Sequence, residues 1–134
     1  MGAQIDFAFL AERAWAARKQ AYAPYSKFSV GAALLAESGE IYSGCNVENV
    51  SFGLTICAER SAVTAAIQAG CRKFSGIAIV ADTETPVLPC GACRQFLAEF
   101  DPAMPIYTVG REGVSRSWLL SELLPSPFSG ITFG

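Results

Sequence analysis

Cys57, Glu59, Cys90 and Cys93 are the residues of this chain whose types and spacing could do chemistry. Cys57-Ala58-Glu59-Arg60 lies 33 residues ahead of Pro89-Cys90-Gly91-Ala92-Cys93, counted between Cys57 and Cys90. Three thiolates offer a zinc ion three ligands and leave the fourth tetrahedral position open. A catalytic zinc needs that opening, whereas a structural zinc is closed by four protein ligands. Glu59, two residues from a ligand, is placed to handle protons at a metal-bound water without binding the metal itself.

The remaining composition narrows the alternatives. Histidine is absent, which removes Ser-His and Cys-His nucleophile schemes and every His-ligated metal site. The net charge is −2 and no run of Lys or Arg occurs. Polynucleotide binding relies on clustered basic residues, so no nucleic-acid partner is expected and a small neutral substrate fits better. The N-terminus shows no basic region followed by an apolar run, and no apolar stretch is long enough to span a bilayer. A reduced, cytoplasmic setting is expected, where cysteines serve as metal ligands or catalysts more often than as disulfides. The other two of the five cysteines, Cys45 and Cys71, read as buried apolar residues.

The elements that must position these groups follow from hydrophobic periodicity. Phe7, Leu10, Ala14 and Ala17 recur at helical steps, predicting an amphipathic helix over Ile5–Gln20. Phe28–Ala36 and Ile41–Val47 predict a hairpin around Glu37-Ser38-Gly39-Glu40. A loop at Ser51–Thr55 delivers Cys57 to the start of a second helix, which Gly70 stops. Ile77–Ala81 reads as a buried strand. Pro89 opens a third helix through Phe100, and Ile106–Val109 is a further strand. Arg111–Arg116 is ambiguous, and Ser117–Leu124 is predicted as a short helix. A hairpin followed by helix–strand–helix–strand gives an α/β fold with a mixed sheet, parallel in its later strands and covered by helices on both faces. The length of 134 residues suits one domain spanning 1–134.

Both halves of the thiol motif fall at predicted helix starts, where free N–H groups and the helix dipole favour thiolate. Three thiolates on Zn²⁺ carry a formal charge of −1, which weakens the metal as an acid. A cation donating to sulfur would counter this; Arg60 is the candidate and Arg94 a weaker one. A lone C-x-x-C would also suit a redox pair, but that leaves Cys57 and Glu59 without a task. A non-catalytic zinc module would call for a fourth protein ligand, such as Cys45 or Cys71.

The combination of C-A-E with P-C-x-x-C is the signature of zinc-dependent nucleobase deaminases. Further motifs are Tyr25-Ser26-Lys27-Phe28-Ser29-Val30-Gly31-Ala32-Ala33, Gly44-Cys45-Asn46-Val47-Glu48-Asn49, Arg94-Gln95 after Cys93, and Leu123-Leu124-Pro125. Through nearly its whole length the chain resembles the small homotetrameric cytidine deaminases of the three-cysteine zinc type. The resemblance implies a three-layer α/β/α sandwich with a mixed five-stranded sheet and one Zn²⁺ per subunit. It implies hydrolytic deamination of cytidine and 2′-deoxycytidine in pyrimidine salvage, with Glu59 as the proton carrier. Asn46 and Glu48 would hold the ribose hydroxyls and Phe28 would pack on the substrate. The Ala58 N–H would meet the pyrimidine O2, and the Leu88 carbonyl would accept from the amino group. Phe128 would reach into a neighbouring subunit's site, and Arg60 would bond the zinc-bound sulfurs. Phe52 departs from the pattern, since many relatives carry Tyr there. Deaminases of blasticidin-type antibiotics share much of the same frame and are the nearest alternative.

Overall fold

The computed structural model describes residues 5–130. Helix α1 (Phe7–Arg18) begins at Asp6, whose carboxylate accepts from the Phe9 N–H at 3.0 Å and satisfies one of the first-turn donors. Strands β1 (Val30–Ala36) and β2 (Ile41–Cys45) form the antiparallel hairpin. The connection turns at Gly39, where φ is +99°. Helix α2 (Ala58–Gln68) leads into β3 (Phe74–Ala81), and α3 (Gly91–Ala98) leads into β4 (Pro105–Val109). Strand β5 (Ser115–Leu119) and the single turn α4 (Leu120–Leu123) follow.

The sheet has the order β2-β1-β3-β4-β5. Strand β1 is antiparallel to both β2 and β3, β3 is parallel to β4, and β4 is antiparallel to β5. Alternate side chains of β3 serve opposite faces, as the pleat requires. Ala78 and Val80 pack with Leu10, Ala11 and Ala14 of α1. Ile77 and Ile79 pack on the other side with Val63 and Ala66 of α2 and Leu97 of α3. The expected three-layer α/β/α sandwich with a mixed five-stranded sheet is therefore the observed one.

Small residues set the distance between layers. A Cβ at Gly31 on β1 would stand 2.0 Å from the Ala14 carbonyl oxygen, and one at Gly44 on β2 would stand 2.5 Å from the Ala62 nitrogen. Neither contact is sterically possible, so α1 and α2 lie on the hairpin only because those positions lack a side chain.

Several predicted boundaries shift. Phe28 and Ser29 are an irregular lead-in, and β1 starts at Val30. Strand β2 ends at Cys45, and Val47 instead exchanges backbone hydrogen bonds with Ile56 at 2.9 Å each way. Strand β3 starts three residues earlier than the apolar run, at Phe74. Cys90 rather than Pro89 opens α3, and the helix closes at Ala98. The helix predicted over Ser117–Leu124 is corrected: Ser117, Trp118 and Leu119 belong to β5, and only Leu120–Leu123 are helical. Pairing of this edge strand with β4, through Tyr107 opposite Ser117, overrides the weak local preference.

The topology explains why the motif residues meet. Only Ala69–Lys73 separate the end of α2 from β3, and only Glu99–Met104 separate α3 from β4. Each helix must therefore run back along the sheet, with its N-terminus at the C-terminal edge of the strand that follows it. Because β3 and β4 are parallel, both N-termini arrive at one edge. Val30 pairs with Ala81 and Gly31 with Cys45, so the start of β1 and the end of β2 lie at that edge too.

Candidate metal centre and active site

Cys57 and Cys90 occupy equivalent places, each the residue just ahead of the first helical turn of α2 and α3. Cys93, on the first turn of α3, is buried. The Cys57 and Cys90 sulfurs are 3.8 Å apart, and all three Sγ atoms lie within 4.8 Å of one another. Sulfurs placed tetrahedrally around zinc at about 2.3 Å would stand about 3.8 Å apart. The three thiols thus fit the ion in donor type and spacing. Among the described residues this is the one cluster of three such ligands. Cys45 and Cys71 lie outside it, the latter at 3.3 Å from the Tyr42 hydroxyl. A fourth cysteine ligand closing the site is not present among these residues.

Charge is distributed to favour thiolate. The Cys57 thiol is drawn down to about 5, chiefly by its hydrogen bond with Cys93 and next by the Arg60 guanidinium and Cys90. Cys93 is pushed upward by the same hydrogen bond and by burial. Arg60 Nη2 donates to Cys57 Sγ at 3.5 Å and to the Thr55 carbonyl at 3.3 Å. Its Nε is buried with no hydrogen-bond partner among the described residues. The expected cation beside sulfur is therefore Arg60. Arg94, the weaker candidate, makes no hydrogen bond to the three sulfurs among the described residues: Nε donates to the Pro89 carbonyl at 2.7 Å and Nη1 to the Leu123 carbonyl at 3.0 Å.

Glu59 sits in the first turn of α2 and is 5% exposed. Burial pushes its carboxyl up to about 7, and the neighbouring Cys57 charge adds to the rise. A carboxyl near this value exchanges its proton at neutral pH, which suits a group that must act as both base and acid.

Glu59 faces a pocket of about 260 Å³ lined by Ser26, Phe28, Val30, Asn46, Glu48, Thr55, Cys57, Ala58, Glu59, Ile79, Val87, Leu88 and Cys90. Phe28, Asn46, Glu48, Ala58 and Leu88, singled out from the sequence, all reach this one cavity. Ala58 is the first residue of α2, where a backbone N–H has no acceptor inside the helix. Asn46 also builds the wall. Its Oδ1 accepts from the Val30 N–H at 2.9 Å, and its Nδ2 donates to the Phe28 carbonyl at 2.8 Å. One N–H and one lone pair of the carboxamide remain for another partner.

Glu48 is held from the opposite side. Its Oε1 accepts from the Tyr25 and Ser26 N–H groups at 3.0 and 3.1 Å, and its Oε2 accepts from the Ser26 hydroxyl. The hydroxyl, followed by the backbone donors, holds this carboxyl below its ordinary value, so it stays an acceptor at neutral pH. The sequence pattern does not single out Ser26, because a loop serine carries no periodic signal and its partner is 22 residues away.

Phe128 is the exception: it does not line its own chain's pocket and is 70% exposed. Phe52 is also exposed and meets Tyr25 edge to face, with ring centroids 5.9 Å apart.

Comparison with known proteins agrees with this geometry. Residues 6–109 match the family described as the cytidine and deoxycytidylate deaminase zinc-binding region. The chain is 55% identical over 114 residues to a cytidine deaminase of Sporosarcina psychrophila, covering 84% of each. It is 48% identical over 126 residues to one of Halalkalibacterium halodurans, covering 93% of this chain and 96% of the relative. The crystal structure of cytidine deaminase from Burkholderia pseudomallei superposes with a TM-score of 0.88 at 46% identity, over 93% of this chain and all of the other. With three thiols spaced for zinc, a buried carboxyl beside them and a match over most of its length, the chain belongs to the cytidine deaminase family and is a zinc-binding hydrolytic deaminase.

Proposed function

We propose that this protein deaminates cytidine and 2′-deoxycytidine to uridine and 2′-deoxyuridine, releasing ammonia. The observation that carries this reading is geometric: the Glu59 carboxyl is buried in the pocket beside three thiols spaced for zinc. Cys57, Cys90 and Cys93 would hold one Zn²⁺, which when bound lowers the pKa of water and supplies hydroxide at neutral pH. Glu59 takes a proton from the attacking water and delivers it to N3, which makes C4 electrophilic. A C4–O bond forms. Glu59 then carries the second proton to the exocyclic amine, the C4–N bond breaks, and ammonia leaves with no change of oxidation state.

The Ala58 N–H meets O2, and the Leu88 carbonyl accepts from the amino group. Phe28 packs on the base. The spare N–H of Asn46 and the ionised Glu48 take the sugar hydroxyls. No lysine or arginine lines the pocket, which disfavours a 5′-phosphate and favours the free nucleoside.

We further propose a cytoplasmic homotetramer serving pyrimidine salvage, with each pocket completed at a subunit boundary by Phe128 of a neighbour. Exposed Tyr25 and Phe52 beside the pocket mouth, with Val50 and Leu54 close by in sequence, form an apolar surface of the kind that subunit contacts cover. Among the described residues no helix is long and apolar enough to cross a membrane.

The test is ultraviolet absorbance of cytidine and of 2′-deoxycytidine incubated with zinc-loaded protein, beside Glu59→Ala. Conversion to the uridine spectrum by the wild type, slowed by several orders of magnitude in a variant that keeps its zinc, is expected. A Glu59→Ala protein with near-normal turnover would refute the mechanism.

A further inference from the structure

Gln95, two residues after the ligand Cys93, has no part in the pocket yet makes a closed two-point contact. Its Nε2 donates to the Phe128 carbonyl at 2.8 Å, and its Oε1 accepts from the Phe128 N–H at 2.9 Å. One carboxamide satisfies both backbone groups of one residue, as a neighbouring strand would. Such a contact fixes the orientation of the peptide as well as its position, and hence the direction in which the Phe128 side chain leaves the chain.

Among the described residues the tail has little else to fix that direction. Helix α4 ends at Leu123, and Pro125 and Pro127 supply no N–H for a local hydrogen-bond pattern. Arg94, the residue before Gln95, ties the upper end of the tail through the Leu123 carbonyl at 3.0 Å, while its Nε holds the Pro89 carbonyl ahead of the ligand Cys90. The first turns of α3 thus carry the thiol ligands and also anchor the C-terminal tail at two points. Holding a tail still costs conformational entropy, and Phe128 buries little in return because its side chain is left facing solvent. A well-formed clamp on an exposed aromatic is explained if the ring has a target outside its own chain.

We propose that Gln95 is a positioning residue for the deamination: by clamping the Phe128 backbone it aims the ring at the pocket of a second copy of the chain. This rests on the reading above that Phe128 completes a neighbour's site. Gln95 acts on a pocket that its own subunit does not contain.

The test is a set of zinc-loaded variants and one mixed assembly. Gln95→Ala is expected to raise KM for cytidine roughly tenfold, with kcat little changed and one zinc per chain retained. Phe128→Ala is expected to do the same, and the double variant to be no worse than the worse single one. Gln95→Glu, which keeps the acceptor for the Phe128 N–H and loses the donor, should fall between. Co-assembling Glu59→Ala, which has an inert pocket and an intact tail, with Gln95→Ala, which has the reverse, should raise activity at low cytidine above that of Gln95→Ala alone. A wild-type KM in both Gln95 variants, additive losses in the double variant, or no gain on mixing would overturn the proposal. Absence of turnover in the wild type would instead defeat the deaminase reading on which it rests. Should Gln95→Ala fail to fold, Gln95→Glu mixed with Glu59→Ala gives the same comparison.

Discussion

Glu59→Gln should make the metal-free protein more stable while abolishing turnover in the zinc-loaded one. Glutamine keeps the shape of the side chain and cannot ionise. In the folded protein, burial raises the Glu59 carboxyl from 4.5 to about 7. Below pH 4.5 both the folded and the unfolded carboxyl are protonated, and burial of this group carries no ionisation cost. As pH rises from 4.5 to 7 the unfolded chain loses its proton first, so stability falls, and the loss is complete once the folded group has ionised above 7. The full gap of about 2.5 pH units corresponds to about 3 kcal/mol, at 1.36 kcal/mol per unit. At pH 5 the same relation leaves less than about 1 kcal/mol. Urea denaturation of metal-free wild type and Glu59→Gln, under reducing conditions at pH 5 and pH 8.5, measures the difference directly. The variant should gain about 2–3 kcal/mol more at the higher pH. An advantage that is equal at the two pH values, or absent at both, would show that Glu59 is not held as a destabilised buried acid. The reasoning behind its proton-carrying role would then fail with it.

The remaining expectations concern the metal, its charge balance and the layer spacing. Ser substitutions at Cys57, Cys90 or Cys93 should each abolish stoichiometric zinc by elemental analysis, while Cys45→Ser and Cys71→Ser should retain one zinc per chain. Arg60→Ala removes the donor at 3.5 Å from Cys57 Sγ and should lower zinc affinity or turnover by roughly 10- to 100-fold; wild-type values for both would show that this contact is without consequence. Gly31→Ala forces a methyl group to within 2.0 Å of the Ala14 carbonyl unless α1 moves away, and should cost about 1–3 kcal/mol or more in a thermal melt. An unchanged melting temperature would mean that α1 is not seated as described.

The readable part of the chain is the part whose signals are local. Cys57 and Cys90 announce themselves because a thiol just ahead of a helix is marked by the apolar period that starts after it. The C-x-x-C spacing of Cys90 and Cys93 is itself a statement about one helical turn. Alternation in β3 assigns its two faces without reference to any other element. Strand β5 escapes for the opposite reason. Ser115, Arg116 and Ser117 are polar and exposed, so their strand character comes from hydrogen bonds to β4 rather than from their own preference. The anchors of Glu48 and Phe128 are equally silent, because their partners lie 22 and 33 residues away and leave no period to read.

The start of α2 shows why the local signal is so concentrated. On the proposed mechanism, Cys57 offers a ligand, Ala58 a free N–H, Glu59 a proton-carrying carboxyl and Arg60 a cation for the thiolate, in four consecutive residues. A helix start is the one place where successive residues can divide such tasks, since its N–H groups are unpaired and its backbone is already rigid. The remaining side of the pocket arrives from the hairpin, through Phe28, Asn46 and Glu48, whose positions depend on loop contacts rather than on any helix. On the proposed mechanism, chemistry is thereby fixed by a short rigid segment, and substrate choice by a wall that hydrogen bonds hold in place. Substitutions in the α2 turn should accordingly show in kcat, and those at Asn46, Glu48 or Ser26 chiefly in KM.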